Sequence, residues 1–102
     1  MRRTRQTLAV ASALLARPNE RHWGYDLTKL SGVRAGVLYP ILARMLDEGW
    51  LEDAWEDGRV AVAEGRPPRR YYRLTTKGIV ALGGLVELDS KQLSHTHRLA
   101  RG

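Results

Sequence analysis

The chain contains no cysteine, which excludes a disulfide framework, a thiolate zinc site and a catalytic thiol. Nor does any uninterrupted apolar stretch reach the roughly 20 residues that span a bilayer. The basic start Met1-Arg2-Arg3-Thr4-Arg5, ahead of an Ala/Leu-rich run, has the charge of a signal peptide. The run from Leu8 to Ala16 is short, however, and Arg17-Pro18-Asn19-Glu20 is a poor cleavage region. A soluble, cytoplasmic protein with no membrane partner is expected. A glycine-rich phosphate loop and a nucleophile elbow are also absent. Ser94, His95 and His97 lie together near a polar terminus, but residues two apart do not share a helix face and no third metal ligand is evident. No enzymatic activity, metal or cofactor is expected.

Acidic residues are in short supply. Eleven Asp and Glu against 17 Lys and Arg leave a formal charge of +6 and a sequence pI of about 10.3. The natural partners of such a chain are anions, nucleic acid first and acidic membranes second. Its 102 residues argue for one domain with a modest core. A hydrophobic content of 43% separates it from disordered chains. A core of this size is marginal, so burial against a second copy would add stability.

The hydrophobic pattern predicts a helix from Thr4 to Arg17, ended by Pro18-Asn19. Leu8, Ala11 and Leu15 make one apolar face and Val10 and Leu14 a second, so this helix is expected to be covered on two sides. Glu20 to Trp23 reads as a short connection. Tyr25 to Leu30 reads as a short second helix closed by Ser31-Gly32. A third helix follows from Val33 or Arg34 to Glu48, with Gly49 as its stop and Leu38, Leu42 and Met45 as its inner face. Two helices joined by a glycine-containing turn form the helix-turn-helix arrangement.

After Gly49 the period shortens to two. Leu51, Asp53 and Trp55 alternate with Glu52, Ala54 and Glu56, and Tyr72 and Leu74 alternate with Tyr71 and Arg73. These predict two antiparallel strands joined by a loop over about Asp57 to Pro68. The first strand region is acidic, whereas Arg66, Arg69, Arg70, Arg73 and Lys77 are basic, and opposite charges across a ladder are mildly favourable. Thr75-Thr76 offers an N-cap for a last helix to about Leu99. Its apolar stripe runs through Ile79, Leu82, Val86 and Leu93. Gly83-Gly84 inside it costs about 2 kcal/mol relative to Ala-Ala in an isolated helix, so something outside must hold it straight or it bends. The expected fold is mainly α with a small two-stranded β wing: a winged helix-turn-helix over residues 1–76, and a C-terminal helix and tail over 77–102.

Four strings in this order carry a family resemblance. They are Gly24-Tyr25-Asp26-Leu27, Gly36-Val37-Leu38-Tyr39-Pro40-Ile41-Leu42, Asp47-Glu48-Gly49-Trp50-Leu51, and the segment from Gly65-Arg66-Pro67-Pro68 through Arg69-Arg70-Tyr71-Tyr72-Arg73-Leu74 to Thr75-Thr76-Lys77-Gly78. Together they resemble the PadR family over about Gly24 to Leu82. The Leu-Tyr-Pro and Arg-Tyr-Tyr-Arg-Leu-Thr runs are the most specific marks. The resemblance implies a dimeric transcriptional regulator, usually a repressor, on a pseudo-palindromic operator. Many members are released from DNA by a small molecule, and the family's last helix packs on the first helix of the partner subunit. Two departures stand out: Val60-Ala61-Val62-Ala63 lengthens the wing, and one C-terminal helix matches the family's short branch.

The third helix is the groove-entering element by its position. Its outer residues Arg34, Ala35, Val37, Tyr39, Pro40 and Arg44, with Gly36 allowing close backbone approach, are the expected double-stranded DNA contacts. Arg34 suits either a guanine edge or a phosphate, and Ala35 and Val37 suit thymine methyls. The resemblance implies a phosphate contact for Tyr39, with core packing of its ring as the alternative. Pro40 removes a helix hydrogen bond and predicts a local kink. Arg66, Arg69 and Arg70 on the wing can reach phosphates or the minor groove, or instead pair with the acidic first strand. For Tyr25, packing is preferred over a phosphate contact. Lys29 is read as a solvated charge, and Arg2, Arg3 and Arg5 as a basic arm or a frayed end.

Two recognition helices must lie about 34 Å apart to meet successive major grooves. A last helix of about 24 residues, about 36 Å long, can support that spacing. Leu82, Leu85, Val86 and Leu93 are the expected homodimer residues, with Leu8 and Leu15 facing them; packing on the same subunit is the alternative. A winged-helix module for protein contact is the rival from another class, and the exposed aromatic platform of single-stranded RNA binders is missing. The identity of any small-molecule effector is not legible. The last helix has no tryptophan, so the flat-drug site that some members build between tryptophans is not expected.

Overall fold

A computed structural model describes residues 4–101, with side chains described over 4–92. The order is α1 (Arg5–Leu15), β1 (His22–Trp23), α2 (Gly24–Ser31), α3 (Ala35–Asp47), β2 (Leu51–Trp55), α4 (Gly58–Ala63), β3 (Arg70–Leu74) and α5 (Thr76–Arg101). This is the expected mainly helical winged layout, with two additions. Glu20 to Trp23 is more than a connection, because His22 and Trp23 form an edge strand opposite Tyr72 and Tyr71. The sheet is therefore three-stranded, in the order β1-β3-β2. Two residues are too few to display alternation, so only the free edge of β3 reveals them. The expected wing loop also contains the short helix α4, started by the Asp57 carboxylate accepting from Arg59 N at 2.8 Å.

Local chemistry sets the ends of the helices. Thr4 caps α1, its Oγ1 accepting from Thr7 N at 3.1 Å. Gly32 closes α2 and Gly49 closes α3, with φ of 71° and 75°, where side chains other than glycine are strained. At the end of α3, Gly49 N donates to Leu46 O and Trp50 N to Met45 O, the double bond of a Schellman turn. The helix runs through Pro40 unbroken, and Gly36 and Pro40 both lie on its exposed side.

The core joins every layer: Val10, Ala11 and Leu14 from α1, Leu27 from α2, Leu38, Leu42 and Met45 from α3, Leu51, Tyr72 and Leu74 from the sheet, and Leu82 from α5. Helix α1 is covered by α2 on one side and α5 on another, as its two apolar faces required. Since Leu82 is core, the first turns of α5 are packed into the same body as residues before 76.

The turn after α3 and the start of α5 are locked together. Thr75 Oγ1 donates to Gly49 O at 2.7 Å and accepts from Gly78 N at 3.0 Å, while Thr75 N donates to Trp50 O. A side-chain carbon at Gly78 would collide with the Trp50 carbonyl group. Beyond this anchor α5 extends as one helix, and the molecule measures 61 Å by 24 Å by 21 Å.

The long wing is held by ions. Arg66 pairs with both Glu56 and Glu64, and Glu56 Oε1 also accepts from Arg69 N at 2.9 Å. The hydrogen-bonded Arg66 guanidinium holds the Glu56 carboxyl below the usual glutamate range, against an opposing effect of desolvation. Across the ladder, Arg70 Nε donates to Asp53 Oδ2 at 2.6 Å. Glu52 stands opposite Arg73, yet among the described residues Arg73 Nε is buried without a hydrogen-bond partner.

Gly78→Ala is expected to lower stability by about 2–3 kcal/mol, since the obstacle is backbone and cannot swing away. Thermal unfolding should show a fall of roughly 10 °C or more. A depressed carboxylate stabilises fully above its unfolded pKa, and that contribution fades as pH falls through its folded value. Glu56→Gln should therefore unfold more easily near neutrality. Its urea midpoint should also drop less than that of the wild type between about pH 5 and pH 2.

Candidate nucleic-acid interface

The outward row of α3 is set by its inward one. With Leu38, Leu42 and Met45 buried, Arg34, Ala35, Gly36, Tyr39, Pro40 and Arg44 are left exposed and Val37 half-buried. Arg34 is the N-cap residue, in extended conformation, its carbonyl accepting from Val37 N at 3.0 Å and Leu38 N at 2.8 Å. No ion pair engages Arg34 or Arg44 among the described residues. Two guanidiniums thus stand in water at either end of the exposed face, the arrangement an anionic partner would meet.

Five of these residues divide between two concavities, and Arg34 and Ala35 line neither. Gly36, Val37, Pro40 and Arg44 line a hollow of about 410 Å³ shared with Thr4, Gln6 and Thr7 at the start of α1. Tyr39 instead faces a cleft of about 650 Å³ between α2 and the base of the wing, together with Arg69 and Arg70. Tyr39 is 47% exposed, so it is not core. Its hydroxyl end lies against Gly24, where any side-chain carbon would strike it. The glycine of the Gly-Tyr-Asp-Leu string is thereby explained: it lets the α3 tyrosine lie over the first turn of α2.

The wing arginines are not equivalent. Arg69 is exposed and its side chain makes no hydrogen bond or ion pair among the described residues, although its charge helps to lower the Glu56 carboxyl. Arg70 is committed to Asp53 and stacks over Tyr72 at 5.2 Å, although it still borders the cleft. Arg66 corrects the expectation of a DNA contact. Its side chain is only 20% exposed and is engaged by two glutamates, so it braces the loop. Burial pushes the Tyr72 hydroxyl above its usual range, partly offset by Arg70.

Tyr25 is a second correction. Packing was expected, yet it is 68% exposed at the cleft, with Lys29 Nζ over its ring at 4.6 Å. Trp55 escaped the sequence reading as a surface group. Its alternation with Leu51 and Asp53 marks the face turned toward the helices, but β2 outruns them and leaves the indole 67% exposed in the same cleft. Arg21 was also missed. It lies over Tyr71 at 4.7 Å, beside the edge contact of Trp23 with that ring.

Of the expected dimer residues, Leu82 is corrected. It is wholly buried in its own subunit's core and has no surface to offer. Leu8, Leu15, Leu85 and Val86 are half-buried, Leu15, Leu85 and Val86 resting against that core. Leu88 and Val80 on α5 are exposed. The side chains of Leu93, Ser94, His95 and His97, like Arg2 and Arg3, lie outside the described residues.

No helix among the described residues is long and apolar enough to cross a membrane. Residues 13–83 match the transcriptional regulator PadR-like family. No curated protein matches the chain. Among solved structures, the PadR family transcriptional regulator of Eggerthella lenta is 27% identical, with a TM-score of 0.73 over 94% of this chain and 84% of that one. A PadR-like transcriptional regulator of Bacillus cereus is also 27% identical, with a TM-score of 0.69 over 91% of each chain. A PadR-like transcription factor of Bacteroides fragilis is 31% identical, with a TM-score of 0.65 over 94% of this chain and 91% of that one. The exposed face of α3 with Arg34 and Arg44 beside a winged sheet, the sequence match across most of the chain and these three likenesses agree: the chain belongs to the PadR-like family of transcriptional regulators.

Proposed function

We propose that the chain represses transcription as a cytoplasmic homodimer on a pseudo-palindromic operator, and that a small-molecule effector releases it. The carrying observation is the exposed face of α3, where Arg34 and Arg44 have no ion-pair partner among the described residues, Arg44 lining the hollow toward α1 and Tyr39 the cleft that also holds Arg69. Lys and Arg facing a duplex displace condensed counterions, which supplies affinity and makes it salt-dependent. Arg34, Ala35, Gly36, Val37, Tyr39, Pro40 and Arg44 are the proposed contacts on α3, with Arg69 and, secondarily, Arg70 on the wing.

Dimerisation rests on α5. Its 26 residues are about 39 Å long, and the first turns alone are spent on the core. Leu85 and Val86 still rest partly against the core, and Leu88, 47% exposed, carries the apolar stripe past it. Added side chains at Gly83 and Gly84 would meet nothing within 4 Å in this chain, so room for a partner's backbone exists where the helix is thinnest. Leu8 and Leu15 supply the opposing surface on α1.

Selection of bound duplexes from random DNA is expected to return inverted repeats with half-sites about 10 base pairs apart, and sedimentation to find two subunits. A lone subunit indifferent to every duplex at low salt would overturn the proposal in favour of a protein-contact module. Arg34→Ala should weaken operator binding. If Arg34 holds a phosphate, the loss is even across sequences and the log–log salt slope falls by about one; if it reads a base, preference relaxes at one position.

A further inference from the structure

We propose that DNA meets the base of this wing and not its tip, with Trp55 and Tyr25 packing on the deoxyribose of one strand while Arg69 takes the adjoining phosphate. The inference rests on the duplex-binding reading above and names the part of the site that reads backbone.

The tip is unsuited to phosphate. Its two guanidiniums are both paired within the chain, Arg59 with Asp57 at 2.9 Å on the surface and Arg66 with Glu56 and Glu64. Three carboxylates against two arginines leave the segment Glu56 to Arg66 with a net charge of −1. Outward it displays Val60 and Val62 together with the Asp57–Arg59 pair, whose arginine side chain is 92% exposed. A phosphate approaching this surface would find no unpaired cation.

The base has the opposite character. Trp55 stands opposite Arg70 across the ladder and leaves two-thirds of its surface in water, although an indole is costly to expose. It shares the cleft with the equally exposed Tyr25 and with Arg69, Arg70 and Tyr39. Flat apolar faces beside an unpaired guanidinium and phenolic donors match a sugar–phosphate unit, whose deoxyribose has an apolar face and whose phosphate accepts hydrogen bonds. In a duplex the bases are stacked and out of reach, so the sugar is what the indole can cover. Among the described residues Asp26 on the α2 side is the one carboxylate lining the cleft, and its charge confines the phosphate to the Arg69 side.

The test is equilibrium binding of the full chain to a duplex bearing the selected operator, measured across a salt series. Trp55→Ala is expected to weaken binding about 5- to 10-fold, evenly across sequences and with an unchanged salt slope, because no charge is lost. Trp55→Phe should recover most of that loss. Arg69→Ala should lower both affinity and slope, the slope by about one. Val62→Ala at the tip should bind as the wild type does. Wild-type affinity in Trp55→Ala, or an equal loss in Val62→Ala, overturns the proposal while leaving duplex binding intact. A wild-type chain that binds no duplex overturns both.

Discussion

Thr75 and Gly78 press against the turn at Gly49 and Trp50, and the relative placement of helix α3, wing and helix α5 depends on that seam. The hydroxyl of Thr75 serves two partners, the Gly49 carbonyl and the Gly78 amide. The absence of a side chain at Gly78 lets α5 start in contact with the Trp50 carbonyl. Strand β2 leaves from this turn and β3 returns to it, so the hairpin is pinned where it meets the recognition helix. A surface that must fit a rigid duplex gains from such a joint, since small misplacements there become large ones at the wing.

Charge is distributed on the wing according to what surrounds each arginine. The loop between the strands has few apolar groups to bury, with Ala61 its one buried residue. The Glu56–Arg66–Glu64 cluster supplies order that a core would otherwise provide. Arg66 is thereby engaged within the chain, on Glu56 and Glu64. Arg70 is divided between Asp53 and the Tyr72 ring, and Arg69, its backbone tied to Glu56 and its side chain unpaired, is left for an anion. Three neighbouring arginines of one chemical type thus occupy three different electrostatic situations.

The long C-terminal helix has two parts with different duties. Its first turns are inseparable from the DNA-binding body, because Leu82 fills the space beneath α1. The later turns run beyond the core, and among the described residues Leu88 there is an apolar side chain left about half exposed. A chain this small has little core to stabilise it, and association through those turns would add buried area where the single subunit is poorest.

Periodicity and punctuation in the sequence determined the helices and the principal strands, because 3.6- and 2-residue repeats and the capping residues Thr4, Gly32 and Gly49 act over a few neighbours. The outer row of α3 was legible for the same reason: the position of Leu38, Leu42 and Met45 dictates what faces away. Only the tertiary structure decided the rest. The two-residue strand at His22 has no pattern of its own and exists through the edge of β3. Helix α4 was hidden in a segment that reads as loop. Trp55 and Tyr25 carry the residue types of a core yet stand in water, since exposure depends on where neighbouring elements end. Leu82 and Arg66 moved the other way, from expected surface to internal partner, because contacts across ten residues or more cannot be read from local spacing.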